Sequence, residues 1–188
     1  MKPEAIQERS IDPLLAAVIA EFGRGIDMIM SIDDSEYRRV AHNTGSVGGH
    51  FRHNLDFATS YLRGIETGQI DYNLRERDPR IEVDREYAAV KIGEAIVRLA
   101  ELTENILDRS VYVRSEVTTA RCLASSVGRE LEFLHSHTVH HHALIAEKLA
   151  GFEIKVSKNF GVAPSTLEYW KRKRREIQEQ HVIKINNH

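Results

Sequence analysis

Apolar residues recur along this chain at helical spacing in four long runs. In the first, Leu15, Ile19, Phe22, Ile26 and Ile29 alternate four and three residues apart, which places them on one stripe of an α-helix. Asp12 before Pro13 supplies an N-cap and a proline at the first helical position, so this helix is predicted to run to about Ile32. A polar, glycine-bearing stretch then ends at Ser46, a suitable cap for a second helix. Its apolar face is Val47, Phe51, Leu55, Ala58, Leu62 and Ile65, and Gly68 lies just past its end. Residues 69–83 are rich in charge, hold Asp78-Pro79, and read as a loop. Asp84 caps a third helix with Ala88, Ile92, Ile96, Leu99 and Leu102 facing inward.

After Asp108 the period changes. Val111-Tyr112-Val113 and the stretch from Val117 to Leu123 carry β-branched residues without helical spacing, which predicts a short hairpin or extended connection. A fourth helix should start around Ser126 and continue to Leu149, stopping before Gly151. Ser165 and Glu168 have capping-box spacing, so a short terminal helix is predicted from Thr166 to about Gln180. Four long amphipathic helices imply an all-α protein built as a four-helix bundle. No internal repeat or low-complexity linker divides residues 1–188, so the expectation is one domain with a short C-terminal helix and tail from about 165.

Composition narrows the function classes. A net charge of −2 provides no global field to attract nucleic acid or an anionic membrane. No run of about 18 apolar residues is present to span a bilayer, and Met1-Lys2-Pro3-Glu4 lacks the pattern of a secretion signal. The single cysteine, Cys122, cannot form an internal disulfide and reads as a small packing residue. A cytoplasmic location is the expectation. Lys171 to Arg175 form a basic run beside Trp170, yet Glu168, Glu176 and Glu179 stand at pairing distance along a helix. A solvated helix is therefore expected there, with neither nucleic acid nor membrane as a partner.

The candidate chemistry lies in His135-Ser136-His137-Thr138-Val139-His140-His141-His142, where five of the chain's ten histidines occupy eight positions. At roughly 100° per residue, His137 and His141 fall on the same face as Val127, Leu134, Thr138, Ile145 and Leu149. Residues four apart project from one face a turn apart, so two imidazoles can close on one ion. His135 and His142 are predicted to point into solvent, and His140 to sit on the flank. The second helix offers a third ligand in Gly49-His50-Phe51-Arg52-His53, with His50 nearer the centre of the apolar face than His53. Three histidines would leave positions open for water or substrate, the mark of a catalytic rather than structural metal site. The plainer reading is that these histidines only cap the polar end of the bundle. Glu130 also falls inward, as a proton acceptor, an outer carboxylate orienting a ligand, or a helix-start acid favoured by the dipole.

The stretch Ser46-Val47-Gly48-Gly49-His50-Phe51-Arg52-His53-Asn54-Leu55-Asp56 resembles the second helix of DinB/YfiT-like proteins. His137 to Ile145 is similar to their metal-binding fourth helix, and Phe160 to Thr166 resembles the C-terminal signature of one DinB-like branch. The resemblance implies a four-helix bundle of the DinB/YfiT-like type with a three-histidine site for Ni, Zn or Fe. Residue by residue it places the ligands at His53, His137 and His141, with His50 as the alternative to His53. It further implies thiol-dependent chemistry. Related activities include S-transferases using bacillithiol or mycothiol, a maleylpyruvate isomerase, and the metal-binding domain of sulfoxide synthases in ergothioneine synthesis. The expected partners are thus a low-molecular-weight thiol and an electrophilic substrate, with a homodimer also implied. A non-catalytic metal- or ligand-binding stress protein is the alternative. Where such proteins often carry Arg-Gly-Gln after the second fourth-helix ligand, this chain has His142-Ala143-Leu144.

Overall fold

Side-chain caps set the starts of four of the five long helices in the computed structural model, which describes residues 11–40 and 45–186. Asp12 accepts from the Leu14 and Leu15 amides at the start of α1 (Pro13–Met30). The chain then makes a single extra turn, α2 (Asp34–Arg38), before Ser46 caps α3 (Val47–Thr67). Gly68 ends α3 in the left-handed conformation (φ 77°), which a residue with a side chain adopts only at a cost. A two-residue strand, β1 (Gln69–Ile70), and a short helix, α4 (Arg80–Val83), lead to α5 (Arg85–Ala100), capped by Asp84. The hairpin β2 (Ser110–Arg114) and β3 (Cys122–Ser126) runs directly into α6 (Val127–Gly151), whose cap is Ser126. Last comes α7 (Pro164–Asn186).

The predicted long helices and the hairpin are all present, but the all-α expectation needs correction. The three strands form one sheet in the order β1-β2-β3, with β1 parallel to β2 and β2 antiparallel to β3. Strand β1 is too short to carry a period of its own. It pairs because the left-handed turn at Gly68 brings the chain back against β2, where the Tyr112 amide donates to the Gly68 carbonyl. Two further elements, α2 and α4, lie in segments that read as polar connections. Asp33 and Glu36 form a capping box around α2. Tyr37, fully buried, ties α2 to α4 by donating its hydroxyl hydrogen bond to the Ile81 carbonyl at 2.7 Å. The terminal helix is longer than the sequence pattern predicts, and its described side chains are mostly exposed.

Among the long helices, α1 packs against α5 and α6, and α3 packs against the same two. Leu15, Phe22, Ile29, Phe51, Leu62, Ile92, Leu99, Leu134 and Ile145 fill the space between them. The contact of α3 with α6 positions the site described next. No described helix is long and apolar enough to cross a membrane.

Candidate metal centre

Helix α3 presents His50 and His53 to α6, and α6 presents His137 and His141 in return. His53, His137 and His141 each offer one ring nitrogen, and the three nitrogens lie within 4.8 Å of one another. The ring centroids are 5.0 Å apart for His53–His137, 4.5 Å for His53–His141 and 4.6 Å for His137–His141. His50 falls outside this trio and instead meets His141, Nδ1 to Nδ1 at 2.9 Å. One of those nitrogens must donate and the other accept, so His50 constrains the tautomer of His141. A helical wheel ranks residues by angle alone, which favours His50. Height along the axis, about 4.5 Å between the two residues, is matched to a neighbour by how α3 packs on α6.

Aromatic rings wall one side. Phe57 stacks on His137 with centroids 4.0 Å apart and planes at 22°, Tyr72 stacks on Phe57, and Phe133 fills the corner. Against this wall His137 Nε2 is buried and has no hydrogen-bond partner. Burial lowers the pKa of His137 to about 4 and that of His141 to about 3, with repulsion from neighbouring imidazoles adding to both. His50 is lowered to about 4 by burial and then by Lys148 and its histidine neighbours. His53 is lowered by burial and by Arg75, with Asp56 opposing. The four rings are therefore neutral at physiological pH, the form in which imidazole offers a lone pair to an ion. The donor set, its spacing and an orphaned buried nitrogen all suit a divalent transition metal.

Two histidines expected in solvent are inside. His142 is 1% exposed and His135 5%. The wheel centred on one apolar stripe, whereas α6 is covered by α1 as well as α3, and by the segment after its own end. Phe160 from that segment stacks on His142 at 4.5 Å. On its other side His142 Nδ1 lies 2.6 Å from Glu21 Oε1, and Glu21 is 2% exposed. Arg24 completes the network, its Nε donating to Glu21 Oε2 at 2.9 Å. Burial opposes ionisation of Glu21, but its bonds with His142 and Arg24 outweigh that and lower its pKa. Sequence reasoning missed this network, although Glu21 continues the helical spacing of Leu14, Val18, Gly25 and Met28, all at least partly buried. A lone acid in such a stripe demands a buried partner.

The remaining candidates sort simply. His140 is exposed. Glu130 is buried in the first turn of α6, and both its oxygens are engaged: Tyr72 donates to Oε2 at 3.0 Å and Ser125 to Oε1 at 2.7 Å. It stands apart from the three histidines as a helix-start carboxylate that ties β3 to the aromatic wall. Cys122 is exposed on β3 rather than packed. In the basic run, Lys171 pairs with Glu168, and Lys173 and Arg172 pair with Glu176.

The architecture has a counterpart among solved structures. A DinB-like protein of Bacillus subtilis, YjoA, superposes with a TM-score of 0.58 over 77% of this chain and 94% of its own, at 16% identity. The chain thus has a DinB-like fold. A stretch of 107 residues, 55% of the chain, is 29% identical to part of FK506-binding protein 5 of Rhizopus delemar, and covers 28% of that protein's length. No family model matches the sequence.

Proposed function

On this DinB-like fold, we propose that His53, His137 and His141 hold one divalent transition-metal ion and that the protein acts on a small molecule at that ion. The observation that carries the reading is the convergence of three neutral imidazoles from two helices, one with a buried and unpartnered nitrogen. An all-imidazole donor set suits Zn, Ni or Fe and is wrong for Mg or Ca, which take oxygen. Three protein ligands leave coordination positions open. A bound divalent ion lowers the pKa of a coordinated thiol, which supports reading the small molecule as a low-molecular-weight thiol and the protein as a thiol S-transferase. The chain's own contribution is then to orient the three rings, to keep His141 in one tautomer through His50, and to shut water out behind Phe57, Tyr72 and Phe133. Helices α1, α3, α5 and α6 are then read as a bundle carrying this site between α3 and α6.

One observation favours a second reading, that of a metal- or ligand-binding protein without turnover: Glu130, the nearest candidate proton acceptor by sequence, is fully engaged elsewhere. The two are separated by stripping the protein with a chelator and reloading it with Zn or Ni. Consumption of several low-molecular-weight thiols with electrophiles is then followed beside a His137→Ala, His141→Ala double variant. The wild type should hold one ion per chain and consume a thiol only when loaded, and the variant should do neither. Equal metal in both proteins overturns the site. Stoichiometric metal with no thiol consumed favours the non-catalytic reading.

A further inference from the structure

Arg75 is a cation with no carboxylate partner among the described residues, and it faces the histidine site. The loop that carries it is pinned to α3 on both flanks: Arg63 donates to the Leu74 carbonyl at 2.7 Å, and the Arg77 amide donates to Asp56 at 3.0 Å. Held there, Arg75 Nη1 lies 3.4 Å from His53 Nδ1 and its guanidinium carbon is 5.6 Å from the Phe57 ring centroid. Its Nε is buried with no hydrogen-bond partner. Arg52 on α3 also has a buried Nε without a hydrogen bond, but it is ion-paired with both Asp56 and Glu82, whereas Arg75 has no carboxylate beside it among the described residues.

A fixed, uncompensated guanidinium beside a cation site is unfavourable for a bare dication. It becomes favourable when an anion lies between the two charges. The chemistry of His53 leads to the same place from either nitrogen. If Nε2 binds the ion, Nδ1 carries a proton, and two N–H donors converge on one acceptor that the protein does not supply. If Nδ1 binds the ion, the guanidinium stands next to the metal and the same anion is required.

We propose that Arg75 makes this site a receptor for a small carboxylate ligand, whose oxygens bridge the guanidinium and the ion held by the histidines. The planar fork of Arg matches a carboxylate in two hydrogen bonds, which a lysine cannot reproduce. This rests on the metal reading above and names the charge and class of the ligand that shares the site.

Cobalt(II) substitution provides the test, because its visible spectrum responds to a new ligand without any turnover. Acetate and inorganic phosphate are titrated into the cobalt-loaded wild type, Arg75→Lys and Arg75→Met, and cobalt affinity is measured separately by chelator competition. Acetate should perturb the wild-type spectrum, bind about tenfold or more weakly to Arg75→Met, and fall between for Arg75→Lys. Cobalt itself should bind Arg75→Met at least as tightly as wild type, since a repelling charge is gone. A purely structural role for Arg75 would weaken both ligands together. Equal acetate affinity in the three proteins, a spectrum indifferent to acetate, or tighter phosphate than acetate overturns the proposal while leaving the metal reading intact. Failure of the wild type to bind cobalt overturns the metal reading and this one with it.

Discussion

His141 sits among three other imidazoles, and that crowding makes its proton affinity a stability term. In the unfolded chain each ring titrates near 6.5, whereas in the folded protein burial and like charge hold His137 and His50 near 4 and His141 near 3. Between those values the unfolded state binds more protons, so stability rises with pH across the window and is lost on acidification. The metal-free protein should therefore melt at progressively lower temperature from pH 6.5 to pH 4, and His141→Gln should flatten the slope. Parallel pH profiles for the two proteins would contradict the burial argument. Glu21 acts in a lower window. Its folded pKa lies below the ordinary 4.5, so its contribution is present above that value and vanishes as pH falls through the lowered one. Its partner is testable at neutral pH. His142→Ala leaves a buried carboxylate with one partner fewer, and should cost roughly 3–5 kcal/mol in chemical denaturation while the metal stoichiometry stays unchanged. A loss below about 1 kcal/mol would place the network outside the core.

At the scale of elements, what the sequence made legible was local. Asp12, Ser46, Asp84 and Ser126 each bond the amides their positions predict, because a cap and the turn it serves are neighbours in the chain. The i, i+4 pair of His137 and His141 was legible for the same reason. Strand β1 and helices α2 and α4 were not, since elements of two to five residues are too short to show a period and owe their existence to distant contacts such as Tyr37 with Ile81. The placement of His135 and His142 failed because α6 is buried on more than one face, and one of its covers, Phe160, comes from beyond the helix. That cover depends on Gly161. Its φ is 70°, and a Cβ there would lie 2.3 Å from the Ala143 nitrogen. Gly161→Ala should therefore destabilise by about 1–3 kcal/mol, with a lower melting temperature. An unchanged melting temperature would show that the segment does not need to approach α6 so closely.

For the whole molecule, the DinB-like fold explains where a site is built but not what it does, since one fold hosts many chemistries. Function has to be argued from the junction of α3 and α6, where three neutral rings meet beside an aromatic wall and a guanidinium that has no carboxylate partner among the described residues. Helical phase alone favours His50 as the third ligand, while the resemblance to DinB/YfiT-like proteins implies His53. The registry of the two packed helices, which no single run of sequence contains, puts His53 with the α6 pair. The most direct measurement is a crystal structure of the zinc-loaded protein with data at the zinc absorption edge. One anomalous peak per chain is expected, about 2.0–2.1 Å from a nitrogen of each of His53, His137 and His141. A peak bound by another set of residues, or no peak in zinc-saturated crystals, would contradict it.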